Sequence, residues 1–220
     1  MIELHRYRTG IERAIIKGRM NYMVGRVPDQ QVDRLLGIQA DNLHTTHKIE
    51  LINRYGLEVF NSDQTGYKTI QEAFGVVRPS VDDVVYDFGS GAGRVVLYGA
   101  LTTPAAFKGL ELVEERVAAS DKARKKLGIG NALFVQTRVQ DYDFSDGTVF
   151  YMFASLLQGA MIATRERLRL VAQTKQIRIV TYCAHQSFED QTWLDTIYDN
   201  THEVLGTYSV GLRVFLSKAA

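Results

Sequence analysis

The sequence contains little cysteine, little excess charge and no long apolar run, and each scarcity excludes a class of protein. Cys183 is the single cysteine, so the chain can form neither an internal disulfide framework nor a cluster of thiolate metal ligands. Twenty-six basic residues face twenty-five acidic ones, and this net charge of +1 weighs against a dedicated nucleic-acid binder. No run of about eighteen apolar residues occurs, so we expect no membrane-spanning helix.

Two further properties of the sequence bear on where the protein is located and on how many domains it has. The first ten residues, MIELHRYRTG, carry charges early and lack the apolar core of a signal peptide, so we expect a soluble, cytoplasmic protein. With 220 residues, 45% of them hydrophobic, the chain can bury a substantial core in one domain and is short for two.

The chain divides into two regimes. Residues 1–80 read as helices and loops, with helical faces around Ile11 to Tyr22, around Val32 to Leu43 and over His47 to Tyr55. Residues 81–220 alternate strands and helices. We therefore predict an N-terminal helical extension, 1–80, that serves as a lid, and a doubly wound domain, 81–220.

The second regime predicts a mainly parallel sheet. Five apolar strands are separated by helices, a pattern typical of a parallel sheet with helices on both faces. The predicted strands cover residues 83–88, 107–112, 131–136, 147–154 and 177–183. His202 to Val210 and Leu212 to Ser217, on either side of Gly211, indicate a closing hairpin. The predicted fold class is α/β, with a seven-stranded sheet that ends in an antiparallel hairpin.

The first of these strands runs into a glycine-rich turn, Asp87-Phe88-Gly89-Ser90-Gly91-Ala92-Gly93. In a doubly wound sheet, ligands bind beyond the carboxyl ends of the strands, and this turn lies there. Glycines let a ligand approach the backbone without meeting a Cβ atom. We therefore predict a ligand-binding loop that includes Asp87, Gly89, Ser90, Gly91 and Gly93, although a merely tight connection has a similar composition.

The spacing within this loop indicates which nucleotide it takes. A dinucleotide site has the pattern G-x-G-x-x-G and places a pyrophosphate over a helix N-terminus. This loop is G-x-G-x-G and follows Asp87 almost directly. A carboxylate repels a pyrophosphate and attracts a cation. S-adenosylmethionine carries a sulfonium and an ammonium group and no phosphate, so the loop favours it over NAD.

Two further acidic residues are candidates for the same site. Glu111 ends the second strand, where a carboxylate can accept hydrogen bonds from both ribose hydroxyls. The alternative is a solvated glutamate at the start of the next helix, where acids suit the helix dipole. Asp141, after the third strand, is placed to meet the adenine amino group, and Asp143 and Asp146 compete for that role.

The motifs resemble those of a known family. VVYDFGSGAGRVVL followed by GLELVEERVAAS resembles motifs I and II of class I S-adenosylmethionine-dependent methyltransferases, and RVQDYDF is similar to their adenine-cradling segment. The resemblance covers residues 83–218 and implies a Rossmann-like sheet, S-adenosylmethionine as cofactor and methyl transfer as activity. The D-x-G-S-G-x-G-R loop followed by G-x-E-L is most similar to Dot1-like and related protein-lysine methyltransferases, which carry a Tyr near the cofactor where Tyr67 lies.

One departure from the family bears on the acceptor. Amino-methylating nucleic-acid enzymes carry Asp/Asn-Pro-Pro-Tyr after the fourth strand, whereas this chain has Phe153-Ala154-Ser155-Leu156. Base N-methylation is therefore disfavoured, and protein lysine and small molecules stay open as acceptors. A cofactor-binding module without catalysis, acting as an interaction subunit, is the alternative from another functional class.

Candidate acceptor-side residues are Tyr67, Phe153 and Ser155. Phe153 and Ser155 can wall the methyl path, and Tyr67 belongs to a loop predicted to cover the cofactor's methionine end, because in-line transfer needs a dry, aligned site. The alternatives are core packing for Phe153 and Tyr67 and a helix cap for Ser155. His185, near the end of the fifth strand, could take a proton or lie at the surface.

A metal site is not expected. His44 and His47 share a predicted helical face, but no acidic cluster or further nearby histidine completes a ligand set. The helical region 1–80 could instead serve as an oligomerisation surface.

Overall fold

The computed structural model describes residues 27–38, 45–59, 64–153, 155–204 and 208–218. The helix predicted around Ile11 to Tyr22 lies outside the described residues, as do Leu43 and His44. The side chain of His47 also falls outside them.

A seven-stranded sheet forms the centre of the molecule. The strands of the described chain are β1 (Val84–Phe88), β2 (Ala106–Glu111), β3 (Ala132–Gln136), β4 (Val149–Phe153), β5 (Arg178–Tyr182), β6 (Leu194–Asp199), β7 (His202–Val204), β8 (Tyr208–Val210) and β9 (Leu212–Ser217). Seven of them form the sheet in the order β3-β2-β1-β4-β5-β9-β6, in which β9 alone runs in the opposite direction to the other six. The apolar, β-branched and aromatic residues of the central strands suit burial on both faces. The prediction of a doubly wound, mainly parallel sheet is confirmed.

Helices cover both faces of this sheet. They are α1 (Val27–Leu36), α2 (Thr45–Tyr55), α3 (Tyr67–Val77), α4 (Arg94–Thr102), α5 (Glu114–Lys126) and α6 (Gln158–Ala172). Residues of α1, α3, α4 and α5 share one apolar core with one face of the sheet. The other face packs against α6, with Phe144 and Phe188 filling the space beside it. No helix in the described part of the chain is long and apolar enough to cross a membrane.

The N-terminal helices pack directly on the sheet domain. Val32 and Leu36 of α1 are fully buried in the core that α3 and α4 share. Leu51 of α2 and Val59 of the following turn contact Val113 in a smaller apolar cluster. Of the helices predicted in this regime, the two that fall on described residues are present as α1, which ends at Leu36, and α2, and both bury apolar side chains against the second regime.

The C-terminal hairpin differs from the prediction in its residues. On its outer side β9 pairs with β6, Leu194–Asp199, and not with the predicted segment His202 to Val210. That segment forms β7 and β8, which pair only with each other as a separate two-stranded sheet. Most side chains of β6 are exposed, so its sequence, LDTIYD, lacks the apolar alternation by which a strand is recognised.

Candidate functional site

The glycine-rich turn after β1 forms the floor of an open cleft at the carboxyl edge of the sheet. Gly89, Gly91 and Gly93 all have positive φ angles, of 77°, 52° and 85°, a conformation that glycine adopts without strain. A Cβ atom on Gly89 would lie 2.6 Å from the Cβ atom of Ser155. The turn is held to the next strand because the N–H groups of Gly89 and Ser90 donate to the carbonyl of Leu110 at 2.9 and 3.0 Å.

Glu111 is fixed at the end of β2 and faces this turn. One oxygen of its carboxylate accepts from the N–H of Gly91 at 2.8 Å, and the other accepts from the N–H of Val113 at 2.9 Å. Glu111 is only 6% exposed, so it is not the solvated glutamate of the alternative interpretation. The guanidinium of Arg116, which also lines the cleft, forms a buried ion pair with Glu111 at 3.7 Å. A carboxylate has about four lone-pair sites, so beside the two N–H groups this one can accept two more hydrogen bonds.

Asp87 is a buried carboxyl group on the neighbouring strand. It lines the cleft and is 5% exposed, and no hydrogen bond to its side chain occurs within the described ranges. Burial, together with the charge of Glu111, raises the pKa of Asp87 from 3.8 to about 8. A cationic ligand group beside Asp87 would compensate for the buried charge.

The segment after β3 lines the opposite end of the cleft. Thr137, Arg138 and Gln140 contribute to the lining, while Asp141 at the end of this segment is exposed and does not. Arg138 donates to Glu58 at 3.0 Å, and Gln140 donates to the same carboxylate at 3.3 Å. The contact between Asp141 and adenine stays a prediction, because in this structure its neighbours in sequence face the cleft.

The competing acids lie elsewhere. Asp146 accepts from the hydroxyl of Tyr86 at 2.6 Å and pairs with Lys108, and Asp143 is exposed and accepts from the N–H of Ser145 at 2.9 Å. Neither residue lines the cleft.

The residues after β4 form the side wall of the cleft. Phe153 and Ser155 both line it, together with Leu156 and Leu157 just before α6 and Ala160 in its first turn. The ring of Phe153 packs edge-on against Tyr182 with a centroid distance of 5.0 Å. Ser155 donates its hydroxyl hydrogen to the carbonyl of Phe88, which ties this wall to the end of β1. The wall is mainly apolar, as a site that excludes water requires.

Two residues singled out in the sequence do not line the cleft. Tyr67 is 1% exposed, and its hydroxyl donates to Asp33 of α1 at 2.7 Å. His185 is also 1% exposed, and neither ring nitrogen has a hydrogen-bond partner within the described ranges. Burial lowers the pKa of His185, and the charge of Arg213 lowers it further.

Many lining residues were not predicted from the sequence, and four of them come from or adjoin the N-terminal regime. Glu58, Gln64 and Thr65 come from the N-terminal regime, and Arg94 begins α4 immediately after the glycine turn. Arg94 was visible in the D-x-G-S-G-x-G-R pattern. The other three reach the cleft only through contacts between segments that are distant in sequence, which local patterns do not report.

The chemistry of the cleft fits an adenosine ligand with a cationic tail. Its empty volume, including the open mouth, is about 970 Å³. The hydroxyl of Ser90 and the amide oxygen of Gln64 are buried in it without a hydrogen-bond partner in the described part of the chain. Asp87 and Glu111 add two carboxyl groups on adjacent strands. The two carboxyl groups can accept hydrogen bonds from ligand hydroxyl and ammonium groups, and three arginines, Arg94, Arg116 and Arg138, also line the cleft.

The chain is similar to known proteins in sequence and in fold. No family model matches the sequence. A curated protein-lysine N-methyltransferase from Saccharolobus islandicus (strain REY15A) is 28% identical over 131 residues, which are 59% of this chain and 77% of the relative.

Solved structures share the fold at low sequence identity. An RNA methyltransferase from Salinibacter ruber, in complex with S-adenosyl-L-homocysteine, has a TM-score of 0.52 at 23% identity, covering 70% of this chain and 92% of its own. A putative methyltransferase from Escherichia coli has a TM-score of 0.56 at 16% identity, with coverages of 72% and 88%. Magnesium protoporphyrin IX methyltransferase from Synechocystis PCC 6803, with bound S-adenosylmethionine, has a TM-score of 0.52 at 15% identity, with coverages of 82% and 100%. These likenesses confirm the class I methyltransferase fold.

Proposed function

We propose that this chain, which has the class I methyltransferase fold, transfers a methyl group from S-adenosylmethionine to the side-chain amine of a protein lysine. The coarser part of this statement, an S-adenosylmethionine-dependent methyltransferase, is supported alike by the loop motif, the fold and the curated relative. The acceptor is the finer part and has its own support.

The pair of carboxyl groups at the glycine turn carries the assignment of the cofactor. Glu111 keeps two acceptor sites for the ribose hydroxyls, and Asp87 is a buried carboxyl group with no partner of its own within the described ranges. A ligand with a ribose and a cationic amino-acid tail satisfies both groups. The G-x-G-x-G spacing of the turn also differs from the G-x-G-x-x-G of a dinucleotide site.

Methyl transfer requires the protein mainly to align the acceptor with the methyl group and to exclude water from the site. When bound, S-adenosylmethionine supplies a methyl group already activated on a sulfonium. A lysine ammonium would first have to release a proton to solvent, and its neutral nitrogen would then take the methyl group while the electron pair of the sulfonium bond stays on sulfur. Phe153 and Leu156 provide an apolar wall, which excludes water and favours the neutral amine.

Two observations favour protein lysine as the acceptor. The curated relative is a protein-lysine N-methyltransferase, and the D-x-G-S-G-x-G-R loop resembles that of seven-stranded enzymes with this activity. The sequence after β4 lacks the Asp/Asn-Pro-Pro-Tyr motif of amino-methylating nucleic-acid enzymes. Among the structural neighbours, three are named as methyltransferases of RNA and one of magnesium protoporphyrin IX, and these two acceptor classes are the competing outcomes.

Incubation with methyl-labelled S-adenosylmethionine tests this proposal. The purified protein is offered three separate acceptor pools, namely cellular protein, RNA and a metabolite extract. We expect acid-stable label in the protein pool, recovered as methylated lysine after hydrolysis. Label confined to RNA or to metabolites would reject lysine while retaining the methyltransferase, and the absence of label from all three pools would favour a module without catalysis.

A further inference from the structure

A buried ion pair joins helix α1 to the start of α4 immediately behind the glycine turn. The guanidinium of Arg94 donates to both oxygens of Asp33, with Nε–Oδ1 at 2.9 Å and Nη2–Oδ2 at 2.6 Å. The two side chains are 12% and 4% exposed. A two-pronged, desolvated pair of this kind fixes both direction and distance, because the guanidinium fork matches a carboxylate.

Neighbouring groups hold Asp33 in place from a second element. The hydroxyl of Tyr67 donates to Asp33 at 2.7 Å, and the Tyr67 ring lies 5.3 Å from the Arg94 guanidinium. The backbone N–H of Tyr67 donates to Asp29 at 3.1 Å, one turn earlier on α1. We call Asp29, Asp33, Tyr67 and Arg94 the Asp33 cluster.

The Asp33 cluster reaches the cleft through Arg94. Arg94 lines the cleft, and its third donor, Nη1, contacts the carbonyl of Thr65 at 3.3 Å. Gln64 and Thr65 form the adjoining part of the wall. Asp33 itself does not line the cleft, so it can act on a ligand only through Arg94 and the segment that Arg94 holds.

We propose that Asp33 is a positioning residue for the methionine end of the cofactor site, acting through Arg94 and Thr65. The inference rests on the proposed function. In the proposed function Glu111 accepts from the ribose hydroxyls, so Asp87, Thr65 and Arg94, which line the same cleft, are the groups left for the amino-acid tail. Loss of the Asp33 charge leaves Arg94 with only its longer contact to Asp29, at 3.9 Å, so the direction of the guanidinium and its hydrogen bond to Thr65 are no longer fixed.

A comparison of two ligands separates this role from a purely structural one. S-adenosylhomocysteine carries the amino-acid tail, and methylthioadenosine has the same nucleoside and a sulfur atom but lacks the tail. For Asp33→Asn, we expect calorimetry to show about a tenfold or greater rise in the Kd of S-adenosylhomocysteine. The Kd of methylthioadenosine should stay within about twofold of the wild-type value. Asp121→Asn, which removes a surface partner of Arg124 on α5, is the control and should change neither value.

The positioning role is overturned if Asp33→Asn lowers the affinity for both ligands equally or for neither. If Asp33→Asn does not fold, Tyr67→Phe removes a single hydrogen bond to Asp33 and should give a smaller loss that is still selective for S-adenosylhomocysteine. Asp33→Glu, which keeps the charge, should recover part of the affinity. A wild-type protein that binds neither ligand would contradict the proposed function itself, which distinguishes that failure from the failure of the inference.

Discussion

Asp87→Asn is expected to weaken binding of S-adenosylhomocysteine on the order of 10- to 100-fold, the effect of losing a hydrogen bond to a charged group. In the ligand-free protein, burial and the charge of Glu111 hold the pKa of Asp87 at about 8. A cationic ligand group lowers that pKa, so binding at pH 7 must release a proton. Calorimetry in two buffers of different ionisation enthalpy should show release of close to one proton from the wild type and none from Asp87→Asn.

The same substitution has a second consequence for stability. The folded protein holds the Asp87 proton more tightly than the unfolded chain does, so the free energy of unfolding of the ligand-free wild type should fall as pH rises between 3.8 and about 8. Asparagine removes this contribution. The stability advantage of Asp87→Asn over wild type, measured by urea unfolding, should therefore be larger at pH 8.5 than at pH 5. An advantage that is independent of pH, with no proton release on binding, would contradict the assignment of Asp87.

Glu111→Ala is the second substitution with a large expected effect. Removal of the ribose acceptor should cost about 1.5 to 3 kcal/mol of binding free energy. Because the role proposed for Glu111 is to accept from the ribose that both ligands carry, methylthioadenosine and S-adenosylhomocysteine should lose affinity equally, unlike the selective loss expected for Asp33→Asn. Titration of both ligands by calorimetry measures this.

The matched control for Glu111→Ala is a nearby acid on the surface. Glu114, which begins α5, is exposed and pairs with Arg54, so Glu114→Ala should leave both dissociation constants unchanged. If Glu114→Ala weakens binding and Glu111→Ala does not, the ribose acceptor has been assigned to the wrong residue. A lower melting temperature for Glu111→Ala is expected in either case, because the N–H groups of Gly91 and Val113 lose their acceptor.

The parallel part of the fold could be predicted from the sequence because its signals are local. Each central strand is a short apolar run bounded by a turn, and the loop after β1 combines an acid with closely spaced glycines. Glu111 could be singled out because a charge at the end of a buried strand has few structural explanations. Its contacts with Gly91 and Val113 show how firmly the position is fixed.

The edge of the sheet and part of the cleft depend on contacts between segments that are distant in sequence. Strand β6 was not predicted because most of its side chains face solvent, so pairing with β9 and not apolar pattern defines it. Glu58 reaches the cleft only by meeting Arg138, and Asp33 contributes only by meeting Arg94. Tyr67 was predicted as a site residue from its place in the sequence, and the structure connects it to the cleft indirectly, through Asp33.

Binding of S-adenosylhomocysteine, measured against NAD by calorimetric titration of the full chain at pH 7, tests the central claim most directly. The two carboxyl groups at the glycine turn predict saturable binding of S-adenosylhomocysteine with one site per chain and no measurable heat from NAD. Saturable binding of NAD without any response to S-adenosylhomocysteine would contradict both the cofactor and the function proposed for this cleft.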